Sequence, residues 1–141
     1  MPGPPLHPRL VHFPIALYLL GVLLTLVYLG RRSPDTERFA YWSFALAWIG
    51  VAVAALAGLV DLGGLAPDDP RRASINNHIT TGVALFILNG LVVYFRFRWP
   101  EVLSSSRRWI YLGLMAAGAL AVVVTGWLGG ELVYTLKVGI P

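Results

Sequence analysis

The chain has 141 residues, 57% of them hydrophobic and only 13% charged, with a net charge of +4 and a mean hydropathy of +0.68. One domain is expected from the length, but not a water-soluble one. Cysteine is absent, which excludes a disulfide framework or a thiolate-held iron–sulfur cluster and leaves nitrogen and oxygen as the ligands for any metal or cofactor.

The charges are segregated, and residues 13–30, 39–60, 78–95 and 109–130 contain none. A helix needs about 20 apolar residues to cross a hydrocarbon core of about 30 Å. These runs therefore predict an all-α integral membrane four-helix bundle, a single transmembrane domain over 1–141 with helices at about 9–30, 39–62, 76–96 and 108–130. The first run is too long for the apolar core of a secretory signal and lacks an Ala-x-Ala cleavage site, so it is expected to be retained. The basic residues flank the spans, where membrane orientation and anionic lipid account for them, and no nucleic-acid partner is expected.

The first helix opens on His7-Pro8-Arg9-Leu10-Val11-His12-Phe13-Pro14, which holds two of the three histidines in the chain. Pro14 has no N–H to donate, so the Leu10 carbonyl is left free and a kink is expected beside His12. Gly30, Arg31, Arg32 and Pro34 stop the helix. In the second helix Ser43, Ala47, Gly50, Ala54, Ala57 and Asp61 alternate steps of three and four. Membrane helices associate by close approach at small residues, so this stripe is expected to be the buried face.

Gly63 to Arg72 reads as a turn with solvated charge, and Ser74 or Asn76 is placed to cap the third helix. His78, Gly82, Leu85 and Asn89 share a stripe there, and Asn89, polar and deep in the span, is expected to face protein. The fourth helix carries Gly113, Ala117, Ala121, Thr125 and Gly129 at strict intervals of four, which predicts tight packing against a neighbour.

Seven arginines (Arg31, Arg32, Arg38, Arg96, Arg98, Arg107, Arg108) lie in the loops after helices one and three, against Arg9, Arg71, Arg72 and Lys137 elsewhere. The positive-inside bias then places both termini outside a bacterial inner membrane, in a multi-pass arrangement. His7, His12, Asp61, His78 and Glu131 converge on the outer end of the bundle.

Two motifs, His7 to Ala16 and Gly126 to Tyr134 (Gly-Trp-Leu-Gly-Gly-Glu-Leu-Val-Tyr), with His78 between them, resemble the signature of the uncharacterised bacterial membrane-protein family called domain of unknown function 2231. The resemblance covers essentially the whole chain. It implies a layout like that of small four-helix haem-binding membrane proteins, and the occurrence of family members fused to Rieske-type redox domains leans towards electron transfer.

The sharpest reading of the convergent residues is one b-type haem at the outer end, with His12 and His78 as the axial ligands of the iron. Gly82 and Ala16 lie one turn after each and leave room for a flat ring, and Arg9 or Arg71 and Arg72 are placed to pair with propionates. His7 and His12 are about 140° apart around a straight helix, so only one of them is expected to ligate. His7, Asp61, Glu131 and Trp127 would support the site.

Alternative readings are copper or zinc held with Asp61 or Glu131, a quinone at His78 or Trp127, and interfacial histidines that merely lock helix ends through a carbonyl or carboxylate. No nucleophile triad or phosphate loop is present, so autonomous catalysis is not expected. Electrons would pass through a larger membrane redox complex or a soluble carrier. The competing class is a structural or assembly subunit of a respiratory or photosynthetic complex, docked through the small residues of helix four.

Overall fold

The structure, a computed structural model, describes residues 5–62, 66 and 68–138. It is all-helical: α1 (His7–Leu10), α2 (His12–Arg31), α3 (Pro34–Asp61), α4 (Arg72–Arg98) and α5 (Arg108–Gly130), with a short 3-10 turn at Val102–Ser104 and a π turn at Glu131–Thr135. Gly63, Gly64, Leu65 and Pro67, the heart of the turn expected after α3, lie outside the described residues.

Two helices begin earlier than their apolar runs. Pro34 occupies the first turn of α3, where its missing N–H costs nothing, and Asp35 and Glu37 complement the positive end of the helix. At α4 the helix starts at Arg72, ahead of both Ser74 and Asn76, so neither caps it.

The four long helical segments, His7–Arg31, Pro34–Asp61, Arg72–Arg98 and Arg108–Thr135, are 25 to 28 residues each. At about 1.5 Å per residue they exceed a hydrocarbon core of about 30 Å, so their ends reach the polar interface. Their outer surfaces are correspondingly apolar: Phe13, Leu23, Phe39, Leu59, Phe97 and Trp109 are all exposed. Lipid is the solvent for that surface.

Successive helices run antiparallel. Gly21 of α2 lies against Phe44 of α3, Gly90 of α4 against Trp48 of α3, and Gly118 of α5 against Tyr18 of α2. Contact is densest within the α2/α3 and α4/α5 hairpins and thinnest where α2 and α5 close the bundle. Tyr18, Phe44, Leu85, Val92, Tyr111, Met115 and Val122 form the core.

The polar groups inside it are answered locally. Thr25 bonds back to the Gly21 carbonyl at 2.8 Å and Ser43 to the Phe39 carbonyl at 2.9 Å, while the Tyr18 hydroxyl donates to the Met115 carbonyl at 3.0 Å. Asn89 is 0% exposed. With its amide nitrogen turned towards a carbonyl, it donates to Phe44 O at 3.3 Å and accepts from Trp48 N–H at 3.0 Å, clasping α4 to α3. At the arginine-rich end Glu37 and Arg96 pair at 2.9 Å.

The heptad stripe of α3 is its protein-facing side: Ser43, Ala47 and Ala54 are buried, and Gly50 admits Pro14 so closely that a Cβ there would lie 3.1 Å from it. The stripe of α5 is not one packed face. Gly113 and Ala117 are exposed, and α5 is buried instead through Tyr111, Met115, Gly118 and Val122. A step of four residues turns the helix about 40° beyond a full circle, so five such positions wind through roughly 160°. The stripe begins facing lipid and ends, at Gly129, facing protein.

Candidate functional site at the histidine end of the bundle

α1 and α2 meet at Val11, whose backbone stays helical and keeps both of its bonds, its N–H donating to the His7 carbonyl at 3.2 Å and its carbonyl accepting from Ile15 N–H at 3.3 Å. The N–H missing from this stretch is that of Pro14. Steps of seven residues put His7, Pro14 and Gly21 on one side of the segment, against Gly58, Gly50 and Phe44 of α3. Asp61, the last residue of α3, receives the N–H of Leu6 at 3.2 Å and of His7 at 2.8 Å, one on each carboxylate oxygen. Those N–H groups are among the four that a helix start leaves without an internal partner, so Asp61 caps α1 from a neighbouring helix.

His7 is then held against α3. Its Nδ1 lies 2.6 Å from the Ala54 carbonyl, and a Cβ at Gly58 would come within 3.1 Å of the ring. His78 mirrors it on the other hairpin, with Nδ1 3.1 Å from the Thr125 carbonyl and its ring 3.1 Å from where a Cβ on Gly129 would stand. The two rings meet with Nε2 to Nε2 at 3.4 Å, centroids 5.6 Å apart and planes at 87°. The centroid spacing exceeds the nitrogen spacing by nearly two ring radii, so the imidazoles point at each other end-on.

Tautomers follow from the partners. A carbonyl only accepts, so both Nδ1 atoms carry hydrogen and donate to Ala54 and Thr125. Both Nε2 atoms then turn a lone pair towards the other. Two acceptors face each other across the seam between the hairpins, and the arrangement calls for a cation between them, either a proton or a metal ion.

His7, not His12, is thus the residue opposite His78. His12 is exposed, and no hydrogen bond or ring contact joins it to His78 among the described residues. The seven-residue step from His7 to Pro14, which packs on Gly50, and the grip of Asp61 give the inward position to His7.

The remaining residues fall around the pair as follows. Gly82 does not cradle either ring, since a Cβ there would meet nothing within 4 Å. Arg9 borders a shallow apolar groove of about 300 Å³ with Leu10, Phe13, Leu46, Ile49 and Val53, on the lipid side of α1 and α3. Arg71 is bound to Asp69 at 2.7 Å. The guanidinium and backbone N–H of Arg71 hold the Asp69 carboxyl down to about 2.

Glu131 and Trp127 line a separate groove of about 580 Å³ with Gly126, Gly130, Tyr134 and Thr135. Asp61 serves the α1 backbone. Among the described residues no three His, Cys, Asp or Glu side chains gather as a metal site.

The residues that sequence reasoning passed over are the two that supply accepting carbonyls, Ala54 and Thr125, and the glycines beneath the rings, Gly58 and Gly129. Ala54 and Thr125 do lie on the small-residue stripes, but a backbone carbonyl leaves no mark of its use in a sequence.

A family model described as predicted membrane protein (DUF2231) matches residues 3–141. The chain belongs to this family. No curated protein and no solved structure matches it. For a DUF2231 member, then, both terminal motifs contribute to one end of the bundle: the first supplies His7, and the last supplies Gly129 beneath His78.

Proposed function

We propose that this DUF2231 protein is a small electron-transfer subunit of a bacterial inner membrane, holding one b-type haem between His7 and His78 near the outer face. The end-on meeting of two Nε2 lone pairs supports this reading above all else. Ligating histidines characteristically give their other ring N–H to a carbonyl or carboxylate, which fixes the tautomer and raises ligand basicity. Both histidines do so.

The donor set also fits by number. Structural zinc and most copper sites draw three or four ligands from protein. Haem iron draws two, and the macrocycle supplies the rest. A haem held by both nitrogens, 3.4 Å apart here, would require the two hairpins to part far enough to admit the macrocycle. They would part on the side where α2 meets α5 and contact is thinnest, since Asn89 clasps α4 to α3 on the other.

When bound, haem supplies a one-electron couple. The chain's own part is to orient both imidazoles through Ala54 and Thr125, to fix α1 through Asp61, and to keep apolar walls around the seam. Nearly all of the chain is helix within the bundle, so electrons enter and leave through a partner, a larger membrane redox complex or a soluble carrier.

A visible spectrum of the protein purified from haem-replete cells tests the assignment. Soret and alpha bands are expected in the wild type and in His12→Ala, and neither in His7→Ala nor in His78→Ala. A colourless wild type, or bands that survive His7→Ala but not His12→Ala, would reject it.

A second reading is a structural or assembly subunit of a larger respiratory or photosynthetic complex. The exposed Gly113 and Ala117 of α5 favour it, because close-packing residues stand there without a neighbour. Colourless protein that co-purifies with a large complex, and loses it in Gly113→Leu, supports this second reading.

A further inference from the structure

The groove of about 580 Å³ at the end of α5 is distinct in chemistry from the histidine pair. Two glycines, Gly126 and Gly130, make its floor. A Cβ at Gly126 would meet nothing within 4 Å, so the space above it is open. Trp127 and Tyr134 stand as its walls, 78% and 77% exposed. Glu131 lies between them in sequence, exposed, and its carboxylate makes no hydrogen bond or ion pair among the described residues.

The helix ends here in a π turn, with Leu136 N–H returning to the Glu131 carbonyl at 3.0 Å. Trp127 and Tyr134, seven residues or about two turns apart, lie on the same side.

Each of these features favours positive charge. Aromatic faces attract cations, a free carboxylate does so more strongly, and the C-terminal end of a helix carries the negative pole of its dipole. They coincide in a chain whose net charge is +4, so the groove is a local exception rather than a general attraction. Below it, Leu120 and Val123 are 65% and 64% exposed and continue the face of Trp127 down the helix. A ligand that fills the whole surface has an ammonium head at the interface and an apolar tail in the bilayer.

We infer that this groove binds the ammonium group of an aminophospholipid, with the head between Trp127, Tyr134 and Glu131 and an acyl chain along Val123 and Leu120. The assignment does not rest on the haem reading, and the two fail independently.

Native mass spectrometry of the purified full chain in mild detergent tests it, with phosphatidylethanolamine and phosphatidylglycerol titrated separately. Phosphatidylethanolamine is expected to bind roughly tenfold more tightly. Glu131→Gln and Trp127→Ala, both exposed positions, are each expected to weaken phosphatidylethanolamine roughly five- to tenfold and to leave phosphatidylglycerol unchanged. Equal affinity for the two lipids, or unaltered phosphatidylethanolamine binding in Glu131→Gln, overturns the proposal. Free ethanolamine at millimolar concentration is expected not to displace the lipid. If it does, the groove recognises a soluble amine and the lipid assignment fails.

Discussion

Asp61 is the residue on which the geometry of the histidine pair depends, although it touches neither imidazole nitrogen. Its two oxygens hold the first N–H groups of α1, and that grip sets His7 over Gly58. An asparagine keeps one acceptor and loses the charge that favours a helix start. Asp61→Asn is therefore expected to lower stability by about 1 kcal/mol, read as an earlier thermal transition of tryptophan fluorescence in detergent. If haem is held as proposed, the same variant should weaken its retention during purification while His12→Ala does not. No change in either measurement would show that α1 is fixed by its packing alone.

Two stripes of small residues, alike on paper, behave differently as elements. In α3 the alternating steps of three and four follow a nearly straight seam, and Ser43, Ala47 and Ala54 stay buried along it. In α5 the strict steps of four wind around the helix, so Gly113 stands open, Gly129 packs on His78, and the glycine against Tyr18 is Gly118, outside the stripe. A Cβ there would fall 1.9 Å from the Tyr18 hydroxyl, in the middle of its bond to Met115.

Gly118→Ala is expected to destabilise the bundle by about 1–3 kcal/mol, since the hydroxyl must leave and its partner is buried. Gly113→Ala, with nothing within 4 Å, is expected to change little. Thermal melts of the two variants side by side check the contrast. A melt of Gly118→Ala equal to wild type would mean that α2 and α5 slide apart at small cost.

For the whole molecule the arginine distribution predicts an orientation, and the helix packing is the same in either one. An up-and-down bundle of four puts both ends of the chain on one side whichever way it is inserted. Because cysteine is absent, single replacements at Asp68 and Ser105 can be probed in intact cells with a membrane-impermeant thiol reagent. Labelling at position 68 and protection at 105 is expected from the positive-inside bias. The opposite pattern would place the histidine pair in the cytoplasm and remove periplasmic carriers as partners.

Composition and charge spacing by themselves determined four membrane helices, the burial of Asn89 and the gathering of all three histidines at one end. These follow from the bilayer, which demands long uncharged helices and tolerates ionisable groups only near its edges. The tertiary structure alone decided which histidine faces which. That choice turns on a carboxylate reaching across from α3 and on carbonyls of Ala54 and Thr125 that every residue type possesses. Helical periodicity sets His7, Pro14 and Gly21 on one side of the segment, but only the packed neighbour shows that this side, and not that of His12, faces α3.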